Sequence, residues 1–70
     1  MIKVKVAIEN YDKSNHYVEY KNITIRELLT ELDVELSNIG AILVDGVPKK
    51  YDDKLEDNTE IYILPALQGG

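Results

Sequence analysis

Seventy residues, no cysteine, one histidine and a formal net charge of −5 bound what this chain can be. A chain this short buries roughly 60% of its extended-state surface, which allows one domain around one thin core. The lack of cysteine excludes a disulfide framework, a thiolate metal site, an iron–sulfur cluster and a cysteine nucleophile, and His16 alone is too little for a typical zinc site.

Thirteen acidic residues face eight basic ones. Nucleic-acid binders need a basic face to displace counterions from phosphate, and here Lys49 and Lys50 form the only adjacent basic pair, followed by Asp52 and Asp53. Direct nucleic-acid binding is therefore not expected. An acidic surface suits a partner with a basic docking face. The longest apolar runs, residues 41–44 and 61–64, are far too short to span a membrane. The first residues alternate and lack the continuous apolar core of a secretion signal, so a cytoplasmic protein is expected.

Residues 2–8 alternate, with Ile2, Val4, Val6 and Ile8 on one side and Lys3, Lys5 and Ala7 on the other, the pattern of a half-buried strand. A polar, turn-rich stretch follows. Residues 16–21 alternate again, with Val18 and Tyr20 expected inward and Tyr17, Glu19 and Lys21 outward. His16 reads as an exposed strand-edge residue. The period then changes. Ile25, Leu28, Leu29 and Leu32 share one helical face. Thr24 with Glu27 fits a capping box, and Ile23 with Leu28 fits a hydrophobic staple. A helix is expected from residue 25 to 32 or 33, with Arg26, Thr30 and Glu31 in water and Val34 and Leu36 pinning the loop beyond it.

Residues 41–44 read as a strand closed by an Asp45-Gly46 hairpin turn, since both central positions of such a turn favour positive φ. Residues 47–49 return as a short strand that Pro48 confines to an edge. Residues 51–59 form a polar connection in which Leu55 alone is expected to be buried. Asp57-Asn58 turns the chain into a last strand with Ile61 and Ile63 inward and Tyr62 and Leu64 outward. The helix must lay its apolar stripe on one face of the sheet. Right-handed crossover then favours the first and last strands side by side in the centre. The expectation is an α+β domain, a mixed sheet of four to five strands with one main helix across one face: the β-grasp arrangement of ubiquitin.

The sequence closes on Leu64-Pro65-Ala66-Leu67-Gln68-Gly69-Gly70. Pro65 has no N–H to extend a central pairing and reads as the point where the chain leaves the folded body. This divides the chain into a domain at 1–64 and a flexible tail at 65–70, whose six extended residues reach roughly 20 Å. A carboxylate on Gly70 has no neighbouring side chain, so a narrow enzyme channel would admit it. It is the candidate reacting group.

The order of elements, together with Leu43-Val44-Asp45-Gly46, Leu55-Glu56-Asp57-Asn58-Thr59-Glu60 and Ile63-Leu64 followed by the tail, resembles the MoaD/ThiS family of sulfur carriers. The resemblance spans the chain, with its specific motifs almost wholly in the last thirty residues. One departure is visible: that family has glycine then aspartate in the turn before the last strand, and Asn58-Thr59 stands there. Asparagine tolerates the left-handed region nearly as well as glycine.

The resemblance implies a mechanism. An adenylating enzyme of the ubiquitin-activating type, using ATP and Mg²⁺, converts Gly70 to an acyl-adenylate. A sulfur donor such as a cysteine desulfurase or rhodanese turns it into a thiocarboxylate. That sulfur passes to an acceptor held by a synthase or thiolase, for molybdopterin or thiamin thiazole synthesis or for tRNA thiolation. The carrier is a substrate throughout, not an enzyme, and binds no cofactor or metal itself. Gly69 keeps the channel narrow, and Gln68 and Leu67 set the reach. Tyr62, Leu64 and Leu43 form an apolar partner patch on the open sheet face.

Two rivals use the same residues. Gly70 is equally suited to conjugation onto target lysines as a protein modifier. Alternatively the domain is a non-covalent interaction or RNA-binding module with an idle tail. A hydrolase or transferase would need a nucleophile beside a base in a pocket, and one His offers little for that. Asp52, Asp53 and Asp57 read as solvated loop charge in preference to a metal site. Lys49, Lys50 and Lys54 read as surface lysines in preference to acceptors for self-conjugation.

Overall fold

The alternating apolar residues at the start of the chain build the first strand of a five-stranded mixed sheet, and one α-helix covers one of its faces. The structure is a computed structural model and describes residues 1–8, 11–12 and 15–66. The strands are β1 (Ile2–Val6), β2 (Asn15–Val18), β3 (Ile39–Val44), β4 (Val47–Lys49) and β5 (Glu60–Pro65). The helix α1 spans Ile25–Glu31, and a short 3₁₀ turn, Leu36–Asn38, leads into β3. The spatial order is β2-β1-β5-β3-β4, with β5 parallel to β1 and the other pairs antiparallel. The chain is thus an α+β fold with its first and last strands adjacent at the centre.

The core is what the two periods require. Ile2, Val4, Val6, Ile42, Val44, Ile61 and Ile63 line one sheet face, and Ile25, Leu28 and Leu29 of α1 join them in one cluster with Leu55. The helix N-terminus is fully capped. Thr24 Oγ1 accepts from the Glu27 N–H at 3.2 Å, and the Glu27 carboxylate accepts from the Thr24 N–H at 3.1 Å. The N–H groups of Ile25 and Arg26 donate to the carbonyls of Asp53 and Tyr51, both at 2.9 Å. These contacts tie the loop after β4 to the helix and satisfy the donors that a helix start otherwise leaves orphaned.

The far end of α1 closes with a device the helical period does not announce. The Asp33 N–H donates to Thr30 and the Val34 N–H to Leu29, with Asp33 at φ 63°. This paired closure with a left-handed residue is a Schellman motif. Asp45 (φ 50°) and Gly46 (φ 83°) form the hairpin turn, and Asn58 at φ 57° takes the left-handed position expected of the Asp57-Asn58 turn.

Several expectations need correction. β3 starts at Ile39 rather than at residue 41. β1 ends at Val6 rather than residue 8, although Ile8 stays buried. β2 is shorter than residues 16–21 because its register pairs Val18 with Ile2, and β1 has no strand residue beyond Ile2 to pair with. Tyr20 is therefore not inward but 44% exposed. Leu55 is not alone in the 51–59 connection: Thr59 is also buried, its hydroxyl donating to the Glu56 carbonyl at 2.7 Å. Finally, Pro65 is the last residue of β5, and the Ala66 N–H still donates to the Asn38 carbonyl at 3.0 Å. Pro65 is tolerated there because β1 pairs with β5 only as far as Ile63, so no neighbour asks for a Pro65 N–H on that side.

Candidate functional site

Leu43, Tyr62 and Leu64, the residues expected to form a patch, come together on the sheet face opposite the helix. Tyr62 is the register partner of Leu43, and Leu64 pairs with Ala41 one step along. Partners across a sheet share a face, so these side chains form one block. They are half-buried, and among the described residues no helix or strand layer lies over them. Lys5 places its ammonium 5.8 Å from the Tyr62 ring centroid, and Lys3 lies 3.9 Å from Glu60, giving the patch a charged margin along β1.

The patch runs directly into the end of β5. An open groove of about 500 Å³ is bounded by Gly40, Ala41, Leu64 and Pro65. A second hollow, about 340 Å³, lies at the other end, between Leu43, Tyr62 and the Asp45-Gly46 turn. At the groove β3 carries a bulge: Ile39 pairs with Pro65 and Ala41 with Leu64, leaving Gly40 without a register partner. The bulge lets the β5 backbone cross close to Gly40. Leu67, Gln68, Gly69 and Gly70, the residues expected to react and to be read by a channel, lie outside the described residues.

The other candidates are placed as follows. Asp52 accepts from Arg26 Nε at 3.2 Å, Asp53 accepts from the Lys50 N–H at 2.8 Å, and Asp57 accepts from the N-terminal ammonium at 2.8 Å. That last hydrogen bond, with the Asn58 N–H beside it, holds the Asp57 carboxyl below its ordinary pKa. Lys50 and Lys54 are exposed and Lys49 is half-buried. His16 is on the edge strand as expected but not exposed: it is half-buried opposite Val4, with its ring edge-on to Tyr11 at 6.0 Å.

No protein-family model matches the chain, and no curated protein is detectably similar to it.

Three features escaped the reading of the sequence. Gly40 is one, although a lone glycine inside a β-rich run is itself the signal for a bulge or a close backbone approach. Tyr11 is another. It sits in a stretch read as polar turn, yet its ring packs on the core and its hydroxyl donates to the Leu32 carbonyl at the end of α1. Burial raises its pKa, and Asp33 and Asp12 raise it further. The third is Asp45, which both donates its N–H to Glu60 and accepts from the Glu60 N–H through Oδ1, each at 2.9 Å. No periodicity marks a turn residue that also pins a neighbouring strand.

Proposed function

We propose that this chain is a β-grasp sulfur carrier of the MoaD/ThiS type, acting through the carboxylate of Gly70. The observation that carries the reading is where β5 ends. The central strand delivers Ala66 beside the Gly40 groove, at the margin of the Leu43, Tyr62 and Leu64 block. Leu67, Gln68, Gly69 and Gly70 follow it in the sequence. A partner that grips the open face has the diglycine within reach of its own active site. The strand order, with parallel first and last strands under one helix, agrees with the β-grasp arrangement.

The chemistry asked of the chain is small. The carboxylate of Gly70 attacks the α-phosphate of ATP, forming the acyl-adenylate and releasing pyrophosphate. The terminal sulfur of a persulfide donor then bonds to the acyl carbon as the bond to AMP breaks. A second thiol cleaves the resulting sulfur–sulfur bond, leaving the thiocarboxylate on Gly70 and a disulfide on the donor. Every catalytic group belongs to a partner. Glycine at 69 and 70 suits a narrow channel because no Cβ widens the chain.

Conjugation to lysine would share the first step, so the test must separate the products. Intact-mass measurement of the protein from its native host is expected to give a species with one terminal oxygen replaced by sulfur. Lysine conjugates that disappear on deleting Gly70, with no such species, would favour the modifier.

A further inference from the structure

β3 has six residues and β4 only three. β4 pairs with Ile42, Leu43 and Val44, and the chain then turns away, so, among the described residues, positions 39–41 have β5 on one side and no strand on the other. A solvent-open cavity of about 380 Å³ fills the angle between β3 and the departing residues 49–52. Gly40, the exposed residue at the bulge, borders this cavity. Gly40 has no register partner. An unpaired strand edge of this kind is a template for another extended chain.

The cavity is also where positive charge gathers in an acidic molecule. Arg26, Lys49 and Lys50 line it against one carboxylate, Asp52, so three cations less one anion leave +2, in a chain of net charge −5. Arg26 is held ready. Its Nε donates to Asp52 at 3.2 Å, its guanidinium lies 5.3 Å from the Tyr51 ring centroid, and its backbone N–H donates to the Tyr51 carbonyl. Tyr51 is in turn anchored through its hydroxyl to the Leu36 carbonyl at 3.4 Å. Among the described residues, nothing accepts from the terminal nitrogens of Arg26. Those nitrogens match a carboxylate.

We propose that this wedge between β3 and the end of β4 docks an extended acidic segment of a partner protein. Carboxylates of the segment meet Arg26, Lys49 and Lys50, and its backbone pairs with the free edge at Gly40. A peptide fits better than a small anion because the cavity shares Gly40 and Ala41 with the apolar groove beside Leu64 and Pro65. A small anion would use the cations alone, whereas a peptide uses the cations, the edge and the groove. The inference is independent of the carrier reading, since no activating enzyme enters its test.

The test is a titration of the full ¹⁵N-labelled chain with a blocked Glu-Glu-Glu-Leu peptide, beside its Gln-Gln-Gln-Leu counterpart and glutarate. The acidic peptide is expected to shift the amides of Gly40, Ala41, Tyr51 and Asp52, and the glutamine peptide is expected to bind at least about tenfold more weakly. Binding should weaken as ionic strength rises from about 0.01 M to 0.15 M. Arg26→Gln combined with Lys50→Gln should weaken it by about tenfold or more. Lys50→Glu, a change at one exposed side chain, gives the same direction should the double variant fail to fold. Glutarate binding as tightly as the peptide would overturn the proposal in favour of a small-anion site. Shifts scattered over Lys3, Lys5 and Lys21, or binding indifferent to these substitutions, would overturn it outright.

Discussion

Gly40 and Pro65 approach each other more closely than any side chain at position 40 would allow. A Cβ on Gly40 would lie 2.4 Å from the Pro65 carbonyl oxygen and 2.9 Å from the Cα of Ala66. Both neighbours are backbone, so neither can swing aside. The bulge at Gly40 therefore fixes where β5 ends and in which direction the chain continues. Gly40→Ala is expected to destabilise the fold by about 1–3 kcal/mol, the usual penalty of overpacking. At about 4–8 °C per kcal/mol, the loss is easily read in a thermal melt. The amide shifts of Asn38 and Ala66 should move with it, since their 3.0 Å hydrogen bond flanks the bulge. An unchanged melting temperature would show that the two strands separate there at no cost.

Asp33 makes the opposite case. It holds the left-handed position at the end of α1 with φ 63°, where glycine meets no steric penalty. Its carboxylate also sits at the helix C-terminus, the end that disfavours negative charge. Asp33→Gly is expected to stabilise the domain by about 0.5–1 kcal/mol, measured as a higher urea midpoint with an unchanged slope. Because Asp33 raises the Tyr11 pKa, the same variant should lower it toward the ordinary value of 10.0.

The two substitutions mark what the sequence made legible. Helix position and the inward set of β1 and β5 follow from periods of two and 3.6, which are local, and the adjacency of the first and last strands from the handedness of the crossover. The capping box and the Asp45-Gly46 turn follow from residue chemistry over four positions or fewer. Gly40, Tyr11 and Asp45 act on residues far along the chain: Pro65, Leu32 and Glu60. Contacts of that kind depend on register, which no local pattern states. The Leu43, Tyr62 and Leu64 patch was legible because alternation alone puts all three on the outward face. The gathering of Arg26 with Lys49 and Lys50 was not, because it needs the helix start and the end of β4 to meet.

Tyr11 supplies a pH dependence with a defined sign. Its folded pKa is raised, so the folded state favours the neutral phenol more than the unfolded state does. The associated stability is complete below the unfolded value of about 10 and is lost as pH rises through the higher folded value. Deprotonation also removes the donor to the Leu32 carbonyl. Tyr11→Phe is expected to cost about 1 kcal/mol at neutral pH. The gap between wild type and variant should narrow above pH 10, as seen in urea midpoints taken across that range. No gap at neutral pH would mean that the hydroxyl contributes nothing to the helix end, and a gap that stays constant above pH 10 would mean that its ionisation is not linked to folding.

The open face is expected to matter to a partner more than to the fold. Tyr62 and Leu64 are half-buried, with no helix or strand over them among the described residues. Replacing both by alanine should keep a cooperative melt yet lower the sulfur-bearing fraction of the protein in its native host by about tenfold, the effect of a contact worth about 1.4 kcal/mol. An unchanged fraction in the folded double variant would remove the patch from the account.

The carrier reading stands on a free carboxylate at Gly70, and one added residue tests it most directly. The chain, and a version bearing one extra alanine after Gly70, are produced in the native host and weighed intact. The expected result is a species with sulfur in place of one terminal oxygen for the original chain and none for the extended one, with the two melting alike. A chain ending at Gly70 that never acquires sulfur, or an extended chain that acquires it equally, would contradict the account.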